Sequence, residues 1–165
     1  MEDAEHHIRS NIDKPVLYQR FINIFKGRGV FATEFISKGD FVVEYRGELL
    51  TQQEGEVRAD QYNDSAKVFL FHFQWKGRTW CIDASEEDSS LGRLVNDDHK
   101  RHNLKMKAIQ ANDEPHLCLF ATRDIVAGEE LTYSYGDSDW PWRTQVIKTE
   151  LSSSPKPMVR TLLKS

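Results

Sequence analysis

Apolar residues in this chain come in short runs set between clusters of turn formers, a pattern that predicts a mainly β domain with few, short helices. Residues 1–13 read as a polar, fraying end, and Val16 to Phe25 mixes apolar and polar positions in a way that fits a strand or a short helix. Val30-Phe31-Ala32 and Phe41-Val42-Val43-Glu44-Tyr45 are β-rich runs separated by Ser37-Lys38-Gly39-Asp40, which predicts strand, turn, strand. Thr51 with Glu54 three residues later is a capping-box pattern, opening an exposed helix that runs to about Tyr62. The β-formers from Val68 to Trp75 lead through Lys76-Gly77-Arg78 into Thr79 to Asp83, a hairpin signature. Ser89 to Val95 suits one or two helical turns, Leu104 to Gln110 and His116 to Ala121 suit strands, and Ala127-Gly128-Glu129-Glu130 turns the chain into Leu131 to Gly136. Ser152 to Pro157 reads as a flexible tail, followed by Val159 to Leu163 as a docking segment. Neither an internal repeat nor a βαβ rhythm is present, so a Rossmann-type nucleotide fold is not expected.

Composition narrows the class. At 165 residues the chain is long enough for one domain and too short for two ordinary ones. A hydrophobic share of 39% with 29% charged residues is that of a soluble globular protein, not of a disordered chain. Apolar runs such as Val68 to Phe73 stop far short of the roughly 18 residues a membrane span needs, so no membrane segment is expected. The acidic start Met1-Glu2-Asp3-Ala4-Glu5 lacks the basic and apolar regions of a secretory signal, which predicts an intracellular protein. Cys81 and Cys118 each sit in a strand-like run, and buried thiols are expected of both rather than a disulfide or a ligand pair.

Net charge is −4, which excludes the broad positive field that drives direct nucleic-acid binding. The charge is uneven: Trp140 to Ser165 carries +4, leaving −8 on the rest. An acidic body suits a basic peptide partner, although such charge is more often a solvated face.

Taken one at a time, the motifs that could carry chemistry are weak. Lys26-Gly27-Arg28-Gly29 is readable as a tight turn, Asn96-Asp97-Asp98-His99 as a polar loop, and Tyr133-Ser134-Tyr135 as core aromatics on alternate strand positions. Their order and spacing are more specific. Lys26 to Thr33, Gly39 to Gly47, Gly92-Arg93-Leu94-Val95-Asn96 and Ala127 to Asp137 together resemble the SET domain of protein lysine methyltransferases, over about residues 24–137. Gly39 to Gly47, His116-Leu117-Cys118-Leu119 and Arg123-Asp124-Ile125 bring the chain nearest to the branch that monomethylates the histone H4 tail. Residues 1–23 and 138–165 are then flanking segments, the second ending in a flexible tail.

The resemblance implies small curved β-sheets around a pseudoknot, in which the segment near Asn96 is threaded by the C-terminal strand. It implies S-adenosyl-L-methionine as cofactor and a basic protein substrate, a histone tail or nucleosome. It also implies a monomer in the nucleus, with the cytoplasm as second compartment. Lys26, Gly27 and Arg28 match the loop that holds the methionine end of the cofactor. Asn96 matches the side chain that binds its amino-acid part, and Asp97 supplies the backbone that meets the adenine. Tyr135 matches the catalytic tyrosine, with Tyr133 and Tyr45 as aromatic walls of the lysine channel.

Those residue types suit in-line methyl transfer to a neutral amine, because an aromatic tunnel desolvates the lysine ammonium and leaves one straight approach. Three departures matter. Asp97 replaces the family's usual histidine; Phe69 replaces a cofactor-touching tyrosine; and two isolated cysteines cannot build the flanking zinc clusters of many members, so no metal is expected. A lid must then come from Trp140 onward, with Trp142 either stacking on the adenine or, together with Trp140, anchoring the tail. Asp97 and Phe69 also keep open a module of the same fold that binds a basic tail without turnover.

Overall fold

The computed structural model describes residues 2–134 and the backbone of 160–162. In chain order the first elements are α1 (Glu2–Ser10), β1 (Leu17–Asn23), β2 (Gly27–Ala32), β3 (Phe41–Tyr45), β4 (Glu48–Thr51), α2 (Gln52–Gln61) and α3 (Asp64–Lys67). Then follow β5 (Leu70–Trp75), β6 (Arg78–Asp83), a 3-10 turn (Gly92–Leu94), β7 (Asn96–Asp97), β8 (Leu104–Ala111), β9 (Glu114–Ala121), β10 (Glu130–Tyr133) and β11 (Arg160–Leu162). The chain forms two compact units: residues up to Arg46 with those from Ser89 build one, and Gly47 to Asp88 with β11 build the other. Strands dominate, as the short apolar runs predict.

The first unit holds a sheet of order β1-β2-β10-β8-β9-β3, with β7 also paired to β10. Val16 to Phe25, open to either reading in the sequence, yields a strand: β1 runs antiparallel to β2 from Leu17 against Ala32 to Asn23 against Gly27. β8 and β9 form a hairpin through Asn112 and Asp113, both in the left-handed region that Asn and Asp tolerate. β10 is the hub. It pairs antiparallel with β2 (Leu131 with Val30) and parallel with both β7 (Thr132 with Asn96) and β8 (Tyr133 with Leu104). Three distant segments thus converge on four residues, the crossing that a threaded C-terminal strand requires.

The N-terminal stretch expected to fray is a helix instead. Ala4 and Ile8, one turn apart, are buried against Phe41, Ile109, Ala111, Cys118 and Phe120. Glu2, Asp3 and Glu5 in the first turn and Arg9 in the last complement the helix dipole. Lys14 then ties the exit of α1 to the sheet, pairing with Asp3 and donating to the Phe41 carbonyl at 2.6 Å. The 3-10 turn lies so close to β3 that a Cβ on Gly92 would fall on the Glu44 carbonyl and within 2.9 Å of the Tyr45 Cα, so only glycine fits.

The second unit holds a sheet of order β11-β5-β6-β4. β5 and β6 form the predicted hairpin, closed by Lys76 and Gly77 at positive φ. Thr51 caps α2 as its sequence predicts: its hydroxyl accepts from the Glu54 amide while Glu54 accepts from the Thr51 amide at 2.9 Å. Asp83 at the end of β6 receives Arg58 at 2.7 Å and the Tyr62 hydroxyl at 2.6 Å, which fastens α2 to the sheet. The backbone of Arg160–Leu162 pairs parallel with Phe71 to Phe73, within the Val159 to Leu163 segment expected to dock.

Both thiols are buried in strands, Cys81 in the second unit and Cys118 in the first. Burial pushes the Cys81 thiol up to about 12, and pushes that of Cys118 up as well. No helix among the described residues is long and apolar enough to cross a membrane.

Candidate cofactor and catalytic site

In the first unit, Lys26 to Arg28, Asn96, Asp97 and Tyr133 lie on β2 and the turn before it, on β7 and on β10, which pair in one sheet. Lys26 and Gly27 form the turn between β1 and β2: Asn23 Oδ1 accepts from the Phe25 and Lys26 amides at 2.9 and 2.8 Å, and Gly27 follows at φ +70°. Arg28 extends its guanidinium to Gln19 Oε1 at 3.1 Å, while its carbonyl accepts from Asn96 Nδ2 at 3.1 Å. That nitrogen also donates to Glu130 Oε2 at 2.9 Å, and the other oxygen of Glu130 accepts from Lys26 Nζ at 2.9 Å. Lys26, Arg28, Asn96 and Glu130 are therefore one hydrogen-bonded group, built from three segments.

Asp97 and Tyr133 are register partners, and the Asp98 amide donates to the Tyr133 carbonyl at 2.9 Å. Tyr133 and Tyr45 are each only 1% exposed, so both side chains are withdrawn from bulk solvent. His99 links the loop to the strand end, with Nδ1 3.2 Å from Ser134 Oγ and Nε2 3.7 Å from Asp97 Oδ2. The acidic side chain at the position of the family's histidine thus has a cation-capable partner two residues on.

Phe69 belongs to the second unit, where its carbonyl accepts from the Ala84 amide at 3.0 Å. Tyr135, Trp140 and Trp142 lie outside the described residues.

Two residues that sequence reasoning passed over hold this site together. Asn103, 1% exposed, mimics a strand residue. Its Oδ1 accepts from the Thr132 amide at 2.9 Å, its amide donates to the Thr132 carbonyl at 3.0 Å, and its Nδ2 donates to the Glu130 carbonyl at 3.0 Å. Glu130 is the other. Nothing local marks either: Asn103 sits in a polar loop, and Glu130 follows Glu129, whose carboxylate only closes the preceding turn through Arg123 at 2.9 Å and the Val126 amide at 2.8 Å.

A family model described as the SET domain matches residues 27–136. Among curated proteins, the chain is 38% identical over 141 residues to "Histone-lysine N-methyltransferase set-1" of Caenorhabditis elegans, covering 82% of this chain and 58% of that protein. It is 45% identical over 140 residues to "N-lysine methyltransferase KMT5A-A" of Danio rerio, covering 82% of this chain and 40% of that protein. The chain thus spans about half the length of these relatives. Among solved structures it resembles CpSET8 from Cryptosporidium, with a TM-score of 0.69 and 32% identity over 83% of this chain and 67% of that one. The matched stretch begins at Gly27 and runs through Asn96 and β10, the segments that converge in the first unit. By fold and by sequence the chain belongs to the SET-domain family.

Proposed function

We propose that the protein is an S-adenosylmethionine-dependent lysine N-methyltransferase that adds one methyl group to a lysine of a basic protein tail, the histone H4 tail being the first substrate to test. The observation that carries this reading is the pairing of β7 with β10. It sets Asn96 and Asp97 directly beside Thr132 and Tyr133, so cofactor-binding and channel residues share one hydrogen-bonded frame. The curated relatives are named as histone-lysine and N-lysine methyltransferases, which supports the same chemistry.

The residues fit the cofactor's amino-acid end. Lys26 offers a cation for a carboxylate, Asn96 offers an amide oxygen, and Gly27 opens the backbone of the turn between them. When bound, S-adenosylmethionine supplies an electrophilic methyl group. The work of the chain is to bind and orient: the buried Tyr45 and Tyr133 line the lysine channel and favour the neutral amine. Tyr135 orients that amine. In this reading Asp97 contributes its backbone to the adenine, and Phe69 and Trp142 contribute apolar surface.

Incubation with labelled S-adenosylmethionine and a panel of histones and nucleosomes, read by mass spectrometry, tests the proposal. Monomethylated H4 is the expected product. Binding of S-adenosylmethionine without label transfer to any basic substrate would favour a tail-binding module instead. No binding at all would remove the cofactor assignment.

A further inference from the structure

We infer that Glu130 is a positioning residue for the cofactor site, fixing the Asn96 amide so that its oxygen, and not its nitrogen, is offered to the ligand. The inference rests on the reading of Asn96 as a cofactor-binding residue. An asparagine amide has two N–H donors, and here both are committed, one to the Arg28 carbonyl at 3.1 Å and one to Glu130 Oε2 at 2.9 Å. Turning the amide over would set its oxygen against two acceptors. The orientation is therefore dictated by chemistry, and what remains for a ligand is Oδ1, an acceptor suited to a primary ammonium group.

Glu130 can do this because it is held on every side. Its side chain is 19% exposed, its second oxygen is gripped by Lys26 Nζ at 2.9 Å, and its carbonyl accepts from Asn103 Nδ2 at 3.0 Å. Gly29 leaves the necessary room: a Cβ there would come within 2.7 Å of Glu130 Oε2 and 3.1 Å of Asn96 Nδ2. Lys26 and Glu130 pair at 2.9 Å, so the carboxylate that orients the Asn96 amide is itself matched by a cation. Glu130 touches Asn96 and Lys26; its effect on the ligand passes through them.

The test compares two stable ligands by calorimetry. S-adenosylhomocysteine carries the amino-acid end, and methylthioadenosine is the same nucleoside thioether without it. Glu130→Ala is expected to weaken S-adenosylhomocysteine about tenfold or more, the scale of a hydrogen bond to a charged group, while methylthioadenosine changes by less than about twofold. Glu130→Gln, nearly isosteric and keeping one of the two acceptors, should fall between. Adding Glu130→Ala to Asn96→Ala should produce no further loss, since the second residue acts through the first.

Equal weakening of both ligands, or full additivity with Asn96→Ala, would make Glu130 a merely structural residue and overturn the inference alone. Failure of the unmutated protein to bind either ligand would overturn the cofactor reading and the inference together. Thermal unfolding of each variant shows whether Glu130→Ala still folds, and the isosteric Glu130→Gln carries the test if it does not.

Discussion

Tyr133 and Tyr135, two residues apart in the sequence, carry different expectations. Tyr135→Phe deletes one hydroxyl and little volume. If that hydroxyl orients the amine, turnover should fall by about a hundredfold or more while S-adenosylhomocysteine affinity stays within about twofold. A variant that turns over at the unmutated rate would end the catalytic assignment. Tyr133 is different, because the role proposed for it is room rather than orientation. Its ring is buried, while its carbonyl accepts from the Asp98 amide and its backbone is in register with Asp97, so replacing it with phenylalanine leaves the frame in place and removes only the hydroxyl. In the proposed monomethylation, its hydroxyl, directly or through a held water, would take the space a methylated amine needs to rotate for a second in-line attack. Tyr133→Phe should therefore accumulate dimethyl product with the first transfer slowed by no more than about threefold. Mass spectrometry of the products decides this, and predominant dimethylation by the unmutated protein would show that Tyr133 does not guard the channel.

Elements whose cause is local were legible in the sequence, and those whose cause is distant were not. The α2 capping box, the Lys76–Gly77 hairpin and the β-rich runs of β3, β8 and β9 each declare themselves within about ten residues. β7 does not, since two residues have no periodicity; it is a strand only because β10 arrives to pair with it. The family resemblance marked Asn96 and Asp97 where local pattern could not. It did not mark Asn103 or Glu130, whose roles exist only once β10 lies beside β7 and β8. α1 shows the same physics in reverse: its polar majority reads as a fraying end, and two apolar residues facing Phe41 and Phe120 make it part of the fold. Ile8→Ala removes the larger of those contacts and should lower stability by about 2 kcal/mol or more, whereas alanine at the exposed Glu5-paired Arg9 should change it by less than about 0.5 kcal/mol. Chemical denaturation of the two variants measures the difference. If Ile8→Ala unfolds with the unmutated midpoint, α1 is not docked as described.

At the scale of the whole molecule, each unit contains an ionisable group whose setting shifts it, the buried Asp83 in one and the half-buried His116 in the other, and the two shifts act at different ends of the pH range. In the second unit, burial raises the Asp83 carboxyl, but hydrogen bonds from Tyr62, Arg58 and Ser85 outweigh it and hold the group below the usual aspartate range. Its folded pKa is depressed, so its contribution is complete above the ordinary value near 4 and is lost as pH falls through the lowered value. In the first unit, His116 is raised, chiefly by its hydrogen bond to Glu44, with burial opposing. The geometry explains the direction: Nδ1 lies 2.9 Å from Glu44 Oε2 and Nε2 lies 3.2 Å from the Ala111 carbonyl. Both nitrogens face acceptors, and only the doubly protonated ring can donate to both. Glu44 also binds Arg46 at 3.3 Å, and Arg46 reaches Asp13 at 3.0 Å, so the same charge chain ties β3 and β9 to the segment after α1. Because the folded pKa of His116 lies above its unfolded value, the stability it supplies is complete below about pH 6.5 and fades as pH rises through the raised value. The unmutated protein should therefore lose thermal stability relative to His116→Gln as pH rises above about 6.5, since glutamine cannot gain or lose that proton. Unfolding midpoints recorded across that range for both proteins provide the check, and parallel curves would mean that His116 is not held as the cation between Glu44 and Ala111.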